Sequence, residues 1–334
     1  YIRGDWLTKL GLEVPTTTDE LYDVLLAFKT QDPNGNGLDD EVPWMNFYSG
    51  VGWLNMWARD FGLKHPDYSQ STFSDHYWSI VNDEEVVFAP INERFKTMLE
   101  YLNGLWKAGL IHQEQFNMDS PKFNGSINNN TAGMQNMWPS AIPGMTEQLR
   151  QLDPGAVWLP ILYPLDPQYS SQDDRSYAKR GPVSFAWYLA KNGKNTEAAV
   201  RLAEYIFGDE EFQFIAEYGI EGVSYEIGDD GLPYYIGKWA EMDTTTRQNE
   251  LGSHVGRLMV ELPRRELLRR VENDPIFAEY KVYLQQIAPY YKPATLWMLT
   301  AEQQDIGKAA LMPVKDYIDE CSMKFIIGTK SFSE

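Results

Sequence analysis

Cysteine is almost absent from this sequence of 334 residues, because Cys321 stands alone. A single cysteine excludes an intramolecular disulfide and any zinc site built from several cysteines. The sequence also lacks an apolar run of about 18 residues, the length that a transmembrane helix needs. It contains no H-E-x-x-H, G-x-S-x-G, G-x-G-x-x-G or Walker motif. The sequence therefore offers no recognisable catalytic motif.

Basic residues are also scarce, with 29 Lys and Arg against 48 Asp and Glu, which gives a net charge of −19. A nucleic-acid partner is not expected, because such a partner requires a basic surface that neutralises phosphates. The same charge disfavours adhesion to an anionic membrane face. Hydrophobic residues make up 43% of the chain, so a large core is available, and the length predicts about two domains.

Helical patterns separated by short apolar runs predict an α/β fold class. Thr17 and Glu20 form a capping box, which predicts a helix that runs to about residue 31. The other predicted helices span about 92–108, 195–208, 209–219, 275–288 and 301–327. The predicted strands span 156–163, 184–190, 224–227 and 232–236, the last two as a hairpin.

The most specific motif is the run D-P-N-G-N-G-L-D-D-E at residues 32–41. Oxygen-bearing side chains recur at positions 1, 3 and 5, and Gly37 occupies position 6, as in the first half of an EF-hand loop. The usual Glu at position 12 is missing, so Glu41 at position 10 would have to replace it. The pattern predicts a calcium loop; a plain polar turn, which favours the same residue types, is the alternative.

Other features of the composition leave alternatives open. Aromatic residues make up 14% of the chain, which suits either sugar stacking or an ordinary large core. A carbohydrate-active enzyme needs only two carboxylates, and the 48 acidic residues single out no pair. A secreted enzyme of that kind and a calcium-stabilised adhesion module therefore remain the rivals of a binding protein.

Several segments resemble, in order along the chain, one known family. These segments are DPNGNGLDDE at 32–41, GMQNMWP at 133–139, KNGKNTEAA at 191–199, YGIEGVSY at 218–225 and KFIIG at 324–328. They resemble the extracellular solute-binding proteins (family 1) of carbohydrate ABC importers. The similarity is strongest to the long-chain branch that includes calcium-containing alginate-binding proteins and sugar-binding lipoproteins of Gram-positive bacteria.

The resemblance implies a two-lobe, periplasmic-binding-protein-like α/β fold (type II) that is helix-rich and truncated here at both ends. It assigns residues 1–155, with the calcium loop, to the second lobe. Residues 156–208 would return to the first lobe. Residues 209–334 would form mostly second-lobe and hinge helices.

The resemblance also implies a function. The chain would capture an oligosaccharide in an interlobe cleft and deliver it to the transmembrane subunits of an ABC permease, without catalysis. We expect a monomer outside the cell, lipid-anchored to the outer face of the cytoplasmic membrane, or periplasmic in a Gram-negative organism. A structural Ca²⁺ would be held by Asp32, Asn34, Asn36, the Leu38 carbonyl, Asp40 and Glu41. The candidate sugar-binding residues are Trp138, Trp53, Tyr225 and Arg180.

Overall fold

The structure is a computed structural model of the chain. It describes residues 1–64, 77–82, 84–138, 141–171, 175, 177–179, 189–190, 192–229, 231–242, 244–252, 278–293 and 301–333. The chain divides into two compact units. Unit 1 comprises Tyr1–Gly181 with Glu279–Glu334, and unit 2 comprises Pro182–Ala278. The lobe boundaries expected from the resemblance stay a prediction.

Helices predominate among the described residues. The helices are α1 (Gly4–Leu10), α2 (Thr18–Thr30), α3 (Leu54–Ala58), α4 (Glu93–Lys107), α5 (Ser120–Asn128), α6 (Ile142–Arg150), α7 (Thr196–Gly208), α8 (Glu210–Tyr218), α9 (Lys238–Glu241), α10 (Thr244–Leu251), α11 (Ala278–Ile287) and α12 (Ala301–Ile327). The strands are β1 (Ile2–Arg3), β2 (Val42–Asn46), β3 (Trp78–Val81), β4 (Glu85–Phe88), β5 (Ala132–Asn136), β6 (Trp158–Leu159), β7 (Tyr177–Lys179), β8 (Tyr225–Ile227), β9 (Pro233–Tyr235) and β10 (Tyr291–Pro293). Within the parts of the chain that the structure describes, no helix combines the length and apolarity that membrane crossing requires.

The local capping signals act as the sequence indicates. The Thr17 hydroxyl accepts a hydrogen bond from the Glu20 amide, and the Glu20 carboxylate accepts one from the Thr17 amide. Asn92 caps α4 by accepting a hydrogen bond from the Arg94 amide. Asn195 stands at the N-cap of α7 but makes no capping hydrogen bond with its side chain.

The short strands follow the sequence less closely. The apolar run at 156–163 forms a strand only at Trp158–Leu159. The run at 184–190 lies outside the described residues except for its last two, which are not in a strand. The predicted hairpin is present, with Tyr225 opposite Tyr235.

Unit 1 is built around a four-stranded mixed sheet in the order β2-β5-β1-β6. Strands β2 and β5 are parallel, with Trp44 beside Met134 and Asn46 beside Asn136. The carboxyl ends of β2 and β5 therefore lie next to each other. The residues that follow the two strands therefore lie close together at the carboxyl ends of the strands, where open α/β sheets commonly bind ligands.

Helices cover both faces of this sheet, because consecutive side chains of β2 point to opposite sides. Trp44 packs in a buried cluster with residues of α2 and α4, among them Leu25 and Leu102. Met45 packs in a second cluster with residues of α5 and α6, among them Phe123 and Leu149. Helices therefore pack on both faces of the sheet beside the carboxyl ends of β2 and β5, where the two loops begin.

Gly133, the second residue of β5, permits close packing in this core. A Cβ atom at this position would lie 2.6 Å from Phe28 Cδ2 and 3.0 Å from both the Pro43 carbonyl oxygen and Trp6 Cζ3. We expect Gly133→Ala to lower the free energy of unfolding by about 1–3 kcal/mol through overpacking. Urea denaturation measures this change.

Gly125→Ala is the matched control for that substitution, because Gly125 lies inside α5 and a Cβ atom added there would have no atom within 4 Å. In a helix interior, alanine is more favourable than glycine by about 0.5–1 kcal/mol. This variant is therefore expected to be at least as stable as the parent. Equal stability of the two variants would contradict the tight contact at Gly133.

Candidate functional site

Two aromatic rings stand exposed where β2 and β5 end. Tyr48 follows β2 and is 46% exposed, and Trp138 follows β5 and is 52% exposed. Their ring centroids lie 6.0 Å apart, and the ring planes meet at 78°. We call Tyr48 and Trp138 the aromatic corner.

The aromatic corner packs on the partly buried ring of Phe47, which in turn packs on a buried ring. Phe47 packs edge-on against Trp138, with centroids 5.8 Å apart, and against Phe123 of α5 at 5.5 Å. Phe123 is fully buried. Contact with Phe47 therefore fixes both rings of the aromatic corner, while each ring keeps part of its surface exposed to solvent. A flat, partly apolar ligand could stack on that exposed surface.

Two other predicted sugar-binding residues lie in packed surroundings. Trp53 is 0% exposed, and its ring packs 5.1 Å from Trp44 and 5.6 Å from Phe116. Tyr225 is buried in unit 2, stacked 5.9 Å from Phe214. A ring covered on its faces cannot stack on a sugar, so neither residue enters the proposed binding surface. Arg180 lies outside the described residues.

Sequence reasoning missed Tyr48. No local motif distinguishes it, because its importance comes from the parallel pairing of β2 with β5. The available signal was its position directly after an apolar strand, close to the carboxyl end where ligands tend to bind.

The predicted calcium loop forms a tight turn in which backbone amides point at oxygens. The Asp32 carboxylate accepts from the amides of Asn36 and Gly37 at 3.1 and 3.0 Å. The Leu38 amide donates to Asn36 Oδ1 at 2.7 Å. Asp32, with φ of 47°, and Gly37, with φ of 77°, adopt the left-handed conformation that such a turn requires.

The loop's amide side chains face Asp40 with their nitrogens. Asn34 Nδ2 lies 3.1 Å from Asp40 Oδ1, and Asn36 Nδ2 lies 3.2 Å from the same atom. In this arrangement no three Asp, Glu, His or Cys side chains of the described residues converge as a metal cage. The oxygens of these two side chains accept from the backbone amides of Asn36, at 3.0 Å, and Leu38, at 2.7 Å.

Glu41 provides the test of whether the loop suits a cation. Both of its carboxylate oxygens are buried, and neither has a hydrogen-bond partner among the described residues. Burial, together with the negative charges of Asp40, Asp32 and Asp39, raises the pKa of Glu41. A buried carboxylate without a donor beside three further acids is costly unless a cation compensates it. The residues present therefore fit an oxygen-ligated cation such as Ca²⁺.

The comparisons with known proteins agree with the family indicated by the motifs, although no family model matches the chain. The chain is 41% identical over 119 residues to the fructooligosaccharide ABC transporter substrate-binding protein FusA of Streptococcus pneumoniae, a match that covers 36% of this chain and 21% of FusA. It is 26% identical over 245 residues to the lipoprotein LipO of Bacillus subtilis, covering 68% of this chain and 44% of LipO. The matches thus span less than half the length of these curated relatives.

Solved structures establish the fold. The alginate-binding protein AlgQ2, in a crystal structure without calcium ion, superposes with a TM-score of 0.69 at 20% identity, over 99% of this chain and 65% of AlgQ2. An EF-hand mutant of FusA in complex with fructo-nystose superposes with a TM-score of 0.63 at 20% identity, over 98% of this chain and 65% of FusA. The helix-rich α/β, two-lobe class of fold is confirmed. The relatives by sequence and the neighbours by fold include an ABC transporter substrate-binding protein and sugar-binding proteins, so the resemblance drawn from the motifs is confirmed.

Proposed function

We propose that this chain is part of a substrate-binding protein that captures an oligosaccharide and delivers it to the permease of an ABC transporter. The aromatic corner of Tyr48 and Trp138 is the observation that carries this proposal. Sugar rings present apolar C–H faces bordered by hydroxyl groups, so exposed aromatic faces hold them well. The relationship to FusA supports a fructo-oligosaccharide as the first candidate ligand.

The proposal includes the protein's setting. The protein would act outside the cell as a monomer, held by a lipid anchor at the outer face of the cytoplasmic membrane, and would meet the permease's transmembrane subunits there. The relationship to the lipoprotein LipO supports the anchor. The protein would release its sugar chemically unchanged, because its role is binding and not catalysis.

Isothermal titration calorimetry of the full-length protein tests this function. The panel consists of kestose, fructo-nystose, stachyose and alginate oligosaccharides, and chromatography of the recovered sugar follows each titration. Saturable binding of one class with the sugar intact is the expected result. Cleaved sugar would favour a carbohydrate-active enzyme, and the absence of saturable binding across the panel would favour an adhesion module.

We further propose that the loop at 32–41 holds a structural Ca²⁺. The ligands would be the carboxylates of Asp32, Asp40 and Glu41, the side-chain oxygens of Asn34 and Asn36, and the Leu38 carbonyl. The bound ion would neutralise the buried Glu41 carboxylate and fix the loop against α1, where the Lys9 ammonium already donates to the Pro33 carbonyl at 3.1 Å. Binding to the folded state alone would stabilise that state.

Glu41→Gln is expected to remove most of the stabilisation that calcium provides. At 100 times its dissociation constant, the ion should add roughly 2.7 kcal/mol to the free energy of unfolding of the parent protein. Thermal unfolding with excess Ca²⁺ and with a chelator measures this increment. Asp39→Asn is the matched control, because Asp39 is an exposed acid of the same loop that is not among the proposed ligands. Equal loss in both variants would attribute the effect to loop charge and contradict the assigned ligand.

The ion-free protein should also respond to pH through Glu41. The pKa of Glu41 is raised in the folded state, so the folded protein binds more protons than the unfolded chain in the window just above the usual Glu pKa. Stability in chelator is therefore expected to fall as pH rises through that window. Glu41→Gln should flatten this slope in urea titrations at successive pH values, and an unchanged slope would contradict the assignment to Glu41.

A further inference from the structure

Gln115 lies beneath the aromatic corner and is fully buried. It belongs to a short 3₁₀ turn at Gln115–Asn117 in the segment that follows α4. Its side chain makes three hydrogen bonds to the backbone that leads from β2 to Tyr48. Gln115 Oε1 accepts from the Asn46 amide at 2.8 Å, and Gln115 Nε2 donates to the carbonyls of Asn46 at 3.1 Å and Tyr48 at 2.8 Å.

These bonds continue the pairing of an edge strand. Strand β2 is an edge strand of the sheet, so one of its sides has no neighbouring strand. Two residues before Asn46, at Trp44, the backbone groups on that side pair with the backbone of the segment that follows α4. The Trp44 amide donates to the Leu110 carbonyl, and the His112 amide donates to the Trp44 carbonyl, both at 2.9 Å. At Asn46 the side chain of Gln115 replaces the backbone in that role. It satisfies polar groups that would be costly to leave unpaired in the interior.

The turn beyond Asn46 is fixed from the same side. The Tyr48 amide donates to Asn46 Oδ1 at 2.8 Å, and the Gly50 amide donates to the Phe116 carbonyl at 3.0 Å. Gln115 therefore stands at the centre of the contacts that hold residues 46–50 in one conformation. That conformation sets the 6.0 Å distance and the 78° angle between Tyr48 and Trp138.

We propose that Gln115 is a positioning residue that orients Tyr48 against Trp138 for sugar stacking, an inference that rests on the proposed function. The role requires an amide. A carboxylate in its place would keep an acceptor for the Asn46 amide. Its second oxygen would face the carbonyl oxygens of Asn46 and Tyr48, to which it could not donate a hydrogen bond. A methionine would preserve the length of the side chain and lose all three hydrogen bonds.

A double-mutant cycle with kestose as the probe tests this role in the full-length protein. Gln115→Met is expected to raise the Kd about tenfold when Tyr48 is present, which corresponds to about 1.4 kcal/mol. In a Tyr48→Ala background the same substitution should change the Kd less than about twofold, because the ring that it positions is gone. Gln113→Met, at an exposed site two residues away, is the control and should bind as the parent does.

Equal losses in both backgrounds, or no loss in either, would overturn the positioning role. Amide hydrogen exchange provides a second test that needs no ligand. Gln115→Met should speed exchange of the Tyr48 and Gly50 amides at least about tenfold while leaving the Trp44 amide unchanged. Unchanged exchange at Tyr48 and Gly50 would refute the inference. A parent protein that does not bind the sugar, even though exchange responds as expected, is a separate outcome. That result would support the role of Gln115 in holding residues 46–50 and would contradict the proposed function.

Discussion

Trp138→Ala is expected to weaken oligosaccharide binding by about 30-fold or more, because truncating a central aromatic contact commonly costs about 2 kcal/mol or more. Trp138 is the larger of the two rings of the aromatic corner, and it keeps 52% of its surface exposed. Tyr48→Ala should weaken binding less, by about tenfold, since its ring offers a smaller face. Calorimetric titration of both variants in the full-length protein measures these losses.

Trp78→Ala is the matched control for Trp138→Ala. Trp78 is a tryptophan of similar exposure, 46%, on the hairpin of β3 and β4, and like Trp138 it packs beside one phenylalanine, with its ring centroid 5.3 Å from that of Phe88. Its substitution should leave the Kd unchanged. Equal weakening by the two substitutions would mean a general effect of tryptophan loss, and parent-like affinity of Trp138→Ala would remove the aromatic corner from the binding site.

The parts of the fold that were predictable are those governed by neighbouring residues. The capping box of Thr17 and Glu20 specifies the start of α2 within four residues, and the same holds for Asn92 and α4. The loop at 32–41 was recognisable for the same reason, because one short stretch contains all of its candidate ligands. The raised pKa of Glu41 follows from burial, which the sequence alone did not reveal.

The candidate binding surface was less predictable, because it depends on contacts between distant segments. The resemblance made Trp53 and Tyr225 candidate sugar-binding residues, yet tertiary packing buries both rings. Tyr48 gains its position only from the parallel pairing of β2 with β5 and from the side chain of Gln115. Register between segments so far apart in the chain cannot be derived from a single local pattern.

Arg3→Met is expected to lower the free energy of unfolding by about 3–5 kcal/mol, because it leaves a buried carboxylate without its partner. The Arg3 side chain is fully buried and forms a two-pronged ion pair with Asp5, through Nε at 2.9 Å and Nη2 at 2.6 Å. Its guanidinium also lies 4.6 Å from the centroid of the Trp6 ring. Chemical denaturation of the full-length protein measures the loss. Lys9→Met is the comparison, because Lys9 pairs with Asp153 at the surface and should contribute less than about 1 kcal/mol.

A second substitution identifies which part of the Arg3 site is responsible. If the unpaired charge of Asp5 causes the loss, the double variant Arg3→Met/Asp5→Asn should recover a substantial part of the stability. Asparagine keeps an oxygen for the Val157 amide, which donates to Asp5 Oδ1 at 3.2 Å, and carries no charge. A double variant no more stable than Arg3→Met would instead assign the loss to the guanidinium's contact with Trp6 and its hydrogen bond to Asn130. Strand β1 carries Arg3 and pairs directly with β5, the strand that Trp138 follows. Recovered stability in the double variant would therefore link the stability of the strands that carry the aromatic corner to this buried ion pair.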